Sequence, residues 1–304
     1  MIATPELSVL LIVESTASVL PAIRAYAAAG SPSRIELVLA GVGGVPHDLE
    51  LATPFGFGAV RGVDAGDGDL PIAEARAARA ATAPWVIFAQ AHALPRPGFL
   101  EATLDTARAG GWTIVGPAFA EGRPDRLWSR VYNHVCNSRW MGDPPAGASP
   151  NVPGHNSVML RASVMALDDR LDDLLEAGWG LVLALLDAGG RAAIEPRAVI
   201  DIAGPPTIAG VIRRIFRIGR FSAALRSTAW PRWRAWAYAA GSPLIPVVRA
   251  ARIARDGRDH TRLDARLWPL VFGALCASAA GEAVGFVAGR GSRTRLELYR
   301  DVRP

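Results

Sequence analysis

The run from Ala75 to Phe99, ARAARAATAPWVIFAQAHALPRPGF, carries the first structural reading of this chain. It opens as an Ala/Arg helical segment, passes into a short continuous apolar stretch, Trp85–Ala89, and breaks at Gln90-Ala91-His92 before a proline-rich turn. Apolar runs this short suit a strand buried on both faces, and the 10–15-residue helical patterns around them suit crossover helices.

The same alternation extends outward on both sides. LSVLLIV (7–13), RIELVLAG (34–41), PWVIFAQ (84–90) and WTIVGPAF (112–119) read as strands. SVLPAIRAYAAAG (18–30), IAEARAARAAT (72–82) and PGFLEATLDTARAG (97–110) read as the helices between them. The pattern predicts an α/β domain with a mostly parallel sheet flanked by helices. On such sheets ligands bind beyond the carboxyl ends of the strands, so Glu14, Ala40-Gly41 and Gln90 to His92 are expected to converge on one crevice.

From Glu121 to Pro153 the prolines and glycines predict irregular chain rather than a long helix. A strand over NSVMLR (156–161), one helix over LDDLLEAGWGLVLALLDAGG (171–190) and a last strand over RAAIEP (191–196) are expected next. Pro205-Pro206 marks a boundary, giving a domain at 1–204 and a second region at 205–304.

Charge separates these regions. Residues 1–204 hold 15 arginines against 22 acids, whereas 205–304 hold 18 against six. There is no lysine, which codon bias toward GC explains without function. The C-terminal region places Ile212, Ile215, Phe216, Ile218 and Phe221 among arginines, followed by Trp230, Trp233, Trp236 and Tyr238. Arg-rich faces beside Trp and Phe describe helices lying in a membrane interface. A later apolar run, RLWPLVFGALCASAAGEAVGFVAG (266–289), is long enough to span a bilayer. Glu282 inside it and arginines at both ends favour a re-entrant or interfacial hairpin over a span, with buried soluble helices as the alternative. Leu7–Val13 is strand length rather than signal length, which predicts a chain that is not secreted. Cys136 and Cys276 give neither a disulfide framework nor a metal spacing.

The order of elements, with ARAARAATAPWVIFAQAHALPRPGF and VPGHNSVMLR (152–161), resembles the family 2 glycosyltransferases of the GT-A fold over roughly Leu7 to Ala203. The resemblance implies transfer of a sugar from a nucleotide-sugar donor. In such enzymes a strand ends in Asp-x-Asp, or in Glu-Asp-His followed by Pro-x-Pro-Gly, and its carboxylates hold Mg²⁺ or Mn²⁺ against the leaving diphosphate. Here His92 and Pro95-Arg96-Pro97-Gly98 match that exit, while Gln90 and Ala91 replace both carboxylates. An amide and one imidazole make a poor Mg²⁺ site, although imidazole suits Mn²⁺, so His92 is the one residue expected to touch a divalent metal.

The resemblance also implies roles for other positions. Glu14 would contact the base, although a Glu there also suits a helix cap, and Arg76 would meet the phosphates, with Arg79 one turn on. Gln90 and His92 would face the diphosphate, and His155 and Asn156 would line the donor sugar. Glu176, with Asp172 and Asp173 behind it, would take the proton from the acceptor in an inverting reaction.

The leading expectation is a transferase at the cytoplasmic face of a membrane, acting on a glycan or lipid-linked acceptor. Its rival is a degenerate subunit of the same fold that binds or anchors a partner transferase. Zinc is disfavoured because the spacing of His92, His134 and His155 matches no standard ligand pattern. GVGG (41–44) is not a dinucleotide fingerprint, since Pro46 follows where a helix has to open. Nucleic acid is excluded as a partner because the arginines interleave with apolar surface rather than line a polar groove.

Overall fold

The computed structural model describes residues 4–13, 16–42, 44, 49–66, 69–176, 179–259, 263–289 and 291, without the side chains of 16–18 and 257–259. In chain order the elements are β1 (Leu7–Val13), α1 (Thr16–Ala28), β2 (Ile35–Gly41), β3 (Ala59–Asp64), α2 (Leu70–Ala80), β4 (Trp85–Ala89), β5 (Ala93–Pro95), α3 (Phe99–Gly110) and β6 (Ile114–Glu121). They continue with α4 (Leu127–Asn137), β7 (Gly147–Ala148), β8 (Val158–Leu160), α5 (Arg161–Met165), α6 (Leu171–Glu176), α7 (Trp179–Asp187) and β9 (Ala192–Ile202). The last helices are α8 (Ile208–Arg226), α9 (Arg232–Gly241), α10 (Ile245–Asp259) and α11 (Trp268–Ala288). The chain forms two compact units, 1–120 with 145–201 and 121–144 with 202–304.

The sheet is ordered β3-β2-β1-β4-β8-β6-β9-β5, with β7 paired to β9. Its first four strands are parallel, Leu7 standing against Ile35 and Trp85, and Glu36 against Ala59. Strand β8 then runs antiparallel to both β4 and β6. Every residue of β2 and β4 is buried, as their uninterrupted apolar character predicts for central strands. The α/β fold expected from the sequence is the fold observed.

One carboxylate fastens the amino edge of this sheet. Glu36, fully buried in β2, accepts from Ser8 Oγ at 2.5 Å, Arg61 Nε at 2.6 Å, Thr82 N at 2.7 Å and Thr82 Oγ1 at 2.8 Å. Ala83 N adds a longer contact at 3.3 Å. Burial alone would raise its pKa, but the bonds from Ser8, Thr82 and Arg61 outweigh that and hold it at about 2.

Two expectations fail locally. Helix α4 lies in the stretch predicted to be irregular; its Leu127, Trp128, Val131, Tyr132, Val135 and Cys136 recur at helical spacing, and Pro144-Pro145 come only after its end. The single helix expected over 171–190 is two, α6 and α7, with 177 and 178 outside the described residues.

In the second unit, Val131 and Tyr132 of α4 share an apolar core with Val211, Ile215, Ile253, Leu267, Val271 and Leu275. Thr207 caps α8 by accepting from Gly210 N at 3.1 Å. Helices α8 and α11 meet backbone to backbone. A Cβ at Gly281 would lie 2.1 Å from Phe216 O, and one at Gly219 only 2.3 Å from Ser278 O. Small residues are therefore required along this seam. Glu282, buried in α11, is paired with Arg226 of α8 at 2.5 Å and Arg249 of α10 at 2.6 Å, and Arg249 also donates to Ser278 Oγ at 2.8 Å.

Candidate functional site

The parallel strands β1 to β4 end at Val13, Gly41, Asp64 and Ala89 along one edge of the sheet. Because β8 runs antiparallel to β4, with Ile87 opposite Val158, the residues just before β8 are delivered to the end of β4. Asn156 sits there, buried, with its N–H donating to Phe88 O at 3.0 Å. Its φ of 62° lies in the left-handed region, which Asn tolerates better than most residues.

The side chain of Asn156 closes on Gln90. Oδ1 accepts from Gln90 N at 3.1 Å, and Nδ2 donates to Gln90 Oε1 at 3.0 Å. A backbone N–H can only donate, so this pair fixes both amides: Asn156 Oδ1 accepts, Nδ2 donates and Gln90 Oε1 accepts. The other polar atom of Gln90, Nε2, is a donor and cannot ligate a hard cation. Two residues expected to face the donor are thus bonded to each other.

His155 is next in the chain, and its Nε2 lies 3.1 Å from Glu74 Oε1. Both side chains are largely buried, and this bond ties the β8 approach to α2. Arg76, on the exposed side of α2, donates to Asp64 O at 3.1 Å, which keeps it at the end of β3. Arg79, one turn further, is held by Asp168 at 2.6 Å and Asp172 at 3.2 Å. That ion pairing accounts for the second arginine and for one of the reserve carboxylates.

His92 is half-buried in a tight turn closed by Ala93 N to Gln90 O at 2.9 Å. The proline-rich exit becomes β5, where Arg96 bonds Val199 O through its N–H and grips Asp201 through its guanidinium at 2.7 to 3.1 Å. Gly98 has φ 86°, a conformation that favours glycine and lets α3 begin. Glu176 is half-buried and ends α6, which packs on α2; it stands at the close of a helix rather than at its start. Glu14 lies outside the described residues.

Structure thus brings Gln90, Asn156, His155 and His92 to the end of one strand, and Glu74 joins them. Sequence reasoning missed Glu74. Its signal is an acid inside the buried stripe of α2, between Leu70, Pro71 and Ala73 on one side and Ala77 and Ala78 on the other. His134, considered with His92 and His155 as a zinc ligand, lies in α4 of the second unit, where burial and then Arg130 push its pKa down to about 4.

Mg²⁺ and Mn²⁺ take several oxygen ligands, but here the Gln90 oxygen already accepts a hydrogen bond and Ala91 has none to offer. Among the described residues no group of three or more His, Cys, Asp or Glu side chains could hold an ion. The described residues do not fit a hard cation.

At the level of sequence no family profile and no curated protein matches the chain. Among solved structures, the mannosyltransferase PcManGT from Pyrobaculum calidifontis, in complex with GDP-Man and Mn²⁺, superposes with a TM-score of 0.55 at 17% identity. The match covers 92% of this chain and 87% of that one. The fold is shared with a glycosyltransferase. At this identity the likeness speaks for the fold, and the chemistry has to be argued from the residues.

Proposed function

We propose that the protein is a nucleotide-sugar-dependent glycosyltransferase related to family 2, working at the cytoplasmic face of a membrane on a glycan or lipid-linked acceptor. The observation that carries this reading is the polar cluster of Gln90, Asn156, His155 and Glu74 at the strand end of a glycosyltransferase fold.

Each residue has a chemical task in this reading. Arg76 and the Gln90 amide donate to the diphosphate, whose negative charge grows as the glycosidic bond breaks. His155, its ring set by Glu74, bonds a hydroxyl of the sugar, and Asn156 keeps the end of β4 in shape. Glu176 takes the proton of the attacking acceptor hydroxyl, which gives inversion at the anomeric carbon.

A second reading has its own support. The loss of both carboxylates at 90 and 91 also suits a degenerate subunit that binds or anchors a partner transferase. Titrating GDP- and UDP-sugars with and without Mn²⁺, while following thermal unfolding, separates the two. The transferase reading expects at least one donor to raise the melting temperature and turnover to be lost in Glu176→Gln. No shift with any nucleotide sugar removes it.

A further inference from the structure

Exposed apolar surface is distributed very unevenly in this protein. Of the large apolar side chains exposed among the described residues, all but Leu183 belong to the second unit. Trp233 is 72% exposed, Trp236 59%, Leu244 69%, Val247 58% and Val248 57%. On α9, Trp233 and Trp236 are three residues apart and share a face. Val247 and Val248 lie in the first turn of α10, and Leu244 ends the 3-10 turn that leads directly into it. Both helices pack on α11, so each has an inner face committed to the protein and an outer face that is apolar.

The other aromatics of this region are used differently. Trp230 stacks on Phe286 with ring centres 5.8 Å apart and meets Tyr238 at 4.7 Å, and the Arg234 guanidinium lies 4.2 Å from the Trp230 ring centre. Those residues fasten α9 to α11. Trp233 and Trp236 remain on the outer face.

Charge identifies the occupant of that face. From Ile202 to Arg255 the chain has ten arginines and no Asp or Glu. Arg232, Arg252 and Arg255 are exposed on the same two helices. A second copy docking through this face would set arginines against arginines. An anionic bilayer supplies both the apolar interior for the Trp, Leu and Val side chains and the negative headgroups for the arginines.

Helix α11 has the length and composition of a membrane span, but half of its apolar window is buried inside the protein. Its Glu282 is ion-paired on two sides, and its glycine seam lies against α8, a helix that carries five arginines. Moving α11 into lipid would strip Glu282 of partners or drag those arginines with it.

We propose that the outer faces of α9, of the turn before α10 and of the start of α10, through Trp233, Trp236, Leu244, Val247 and Val248, insert into the headgroup–acyl boundary of an anionic membrane, while α11 stays within the protein as a core helix. This rests on the membrane reading above and names the surface and the lipid charge that serve it. The docked chain concentrates its transferase unit where an amphiphilic acceptor resides.

The test is co-sedimentation of the full chain with vesicles of phosphatidylcholine alone or mixed with phosphatidylglycerol. Binding is expected to the anionic vesicles and to weaken as salt is raised. Trp233→Ala with Trp236→Ala should lower partitioning by about tenfold or more, the worth of two lost aromatic anchors. Leu244→Ser with Val247→Ser should do the same by a route that keeps the tryptophans, and unchanged circular dichroism shows that either variant folds. Brominated lipids should quench the wild-type fluorescence, and Trp233→Phe with Trp236→Phe should bind yet be quenched less. If wild type binds and the variants bind equally, this surface is the wrong one although the membrane reading survives. If wild type stays in the supernatant with both vesicles at low salt, the membrane reading falls as well. A dimer in solution that the Trp variants split would assign the face to self-association and overturn the proposal.

Discussion

At the amino edge of the parallel strands the Glu36 carboxylate gathers five donors from β1, β3 and the loop before β4. At the carboxyl edge Glu74 meets the His155 ring, and Asn156 holds Gln90 from a left-handed backbone conformation. The first arrangement is saturated, and it ties strands together. The second collects buried and half-buried polar groups and backbone strain, which persist where the surrounding fold holds them and which recur at functional sites. A saturated buried carboxylate should therefore govern stability, and the strand-end cluster should govern ligand affinity.

The hardest test of this contrast is Glu36→Gln. Removing the charge from a buried, fully donated carboxylate should cost about 3 kcal/mol in urea unfolding, while donor affinity of the folded fraction stays unchanged. The pH dependence follows from the same group. Its folded pKa of about 2 lies below the ordinary value of 4.5, so its stabilisation is fully present above 4.5 and is lost as pH falls toward 2. Glu36→Gln should flatten that acid loss only in part. Glu195, lowered to about 2 chiefly by Arg197, titrates in the same window.

Asn156→Ala comes next. It orphans the Gln90 N–H and places a Cβ-bearing residue without a side-chain amide at positive φ, so a loss of about 2 kcal/mol is expected together with weaker donor binding. Asn156→Gly removes the strain but not the orphan. If glycine restores stability without restoring donor affinity, the hydrogen bonds to Gln90 serve the ligand.

Glu74→Gln should leave melting nearly unchanged and lower donor affinity roughly tenfold, the worth of one hydrogen bond in the upper part of the usual range. A large loss of stability with no loss of affinity would place Glu74 with Glu36, and the contrast between the two edges would fail. The smallest effect on stability is expected for Gln90→Glu with Ala91→Asp, because Asn156 Nδ2 can donate to a carboxylate as well as to an amide. Wild type should bind donor equally in Mn²⁺ and in chelator, whereas the double variant should acquire a metal-dependent thermal shift.

Much of the first unit was legible in the sequence. β1 is Leu7–Val13 as read, and β2, β4, β6 and β8 fall within a residue or two of the apolar runs that announced them. The misses have local causes. β3 is half-exposed along its length and lacks a continuous apolar run, and α4 was masked by the prolines and glycines downstream of it. In the site, Gln90 and His92 stood out as the polar break after an apolar run, and His155 and Asn156 through the family resemblance of the segment 152–161. Glu74 was not, because an acid in an Ala-rich helix looks like a solvated face until its burial is known.

Sequence alone therefore determined the alternation of helix and strand, the acid-free stretch from 202 to 255 and the polar break Gln90-Ala91-His92 after an apolar run. Those properties belong to neighbouring residues, and periodicity or composition reports them directly. Tertiary structure decided which groups meet: His155 with Glu74 across 81 residues, Asn156 with Gln90 across 66, Arg226 with Glu282 across 56. It also decided which tryptophans are spent on packing and which face outward. Contacts at such separations depend on strand order and register, which no local pattern encodes.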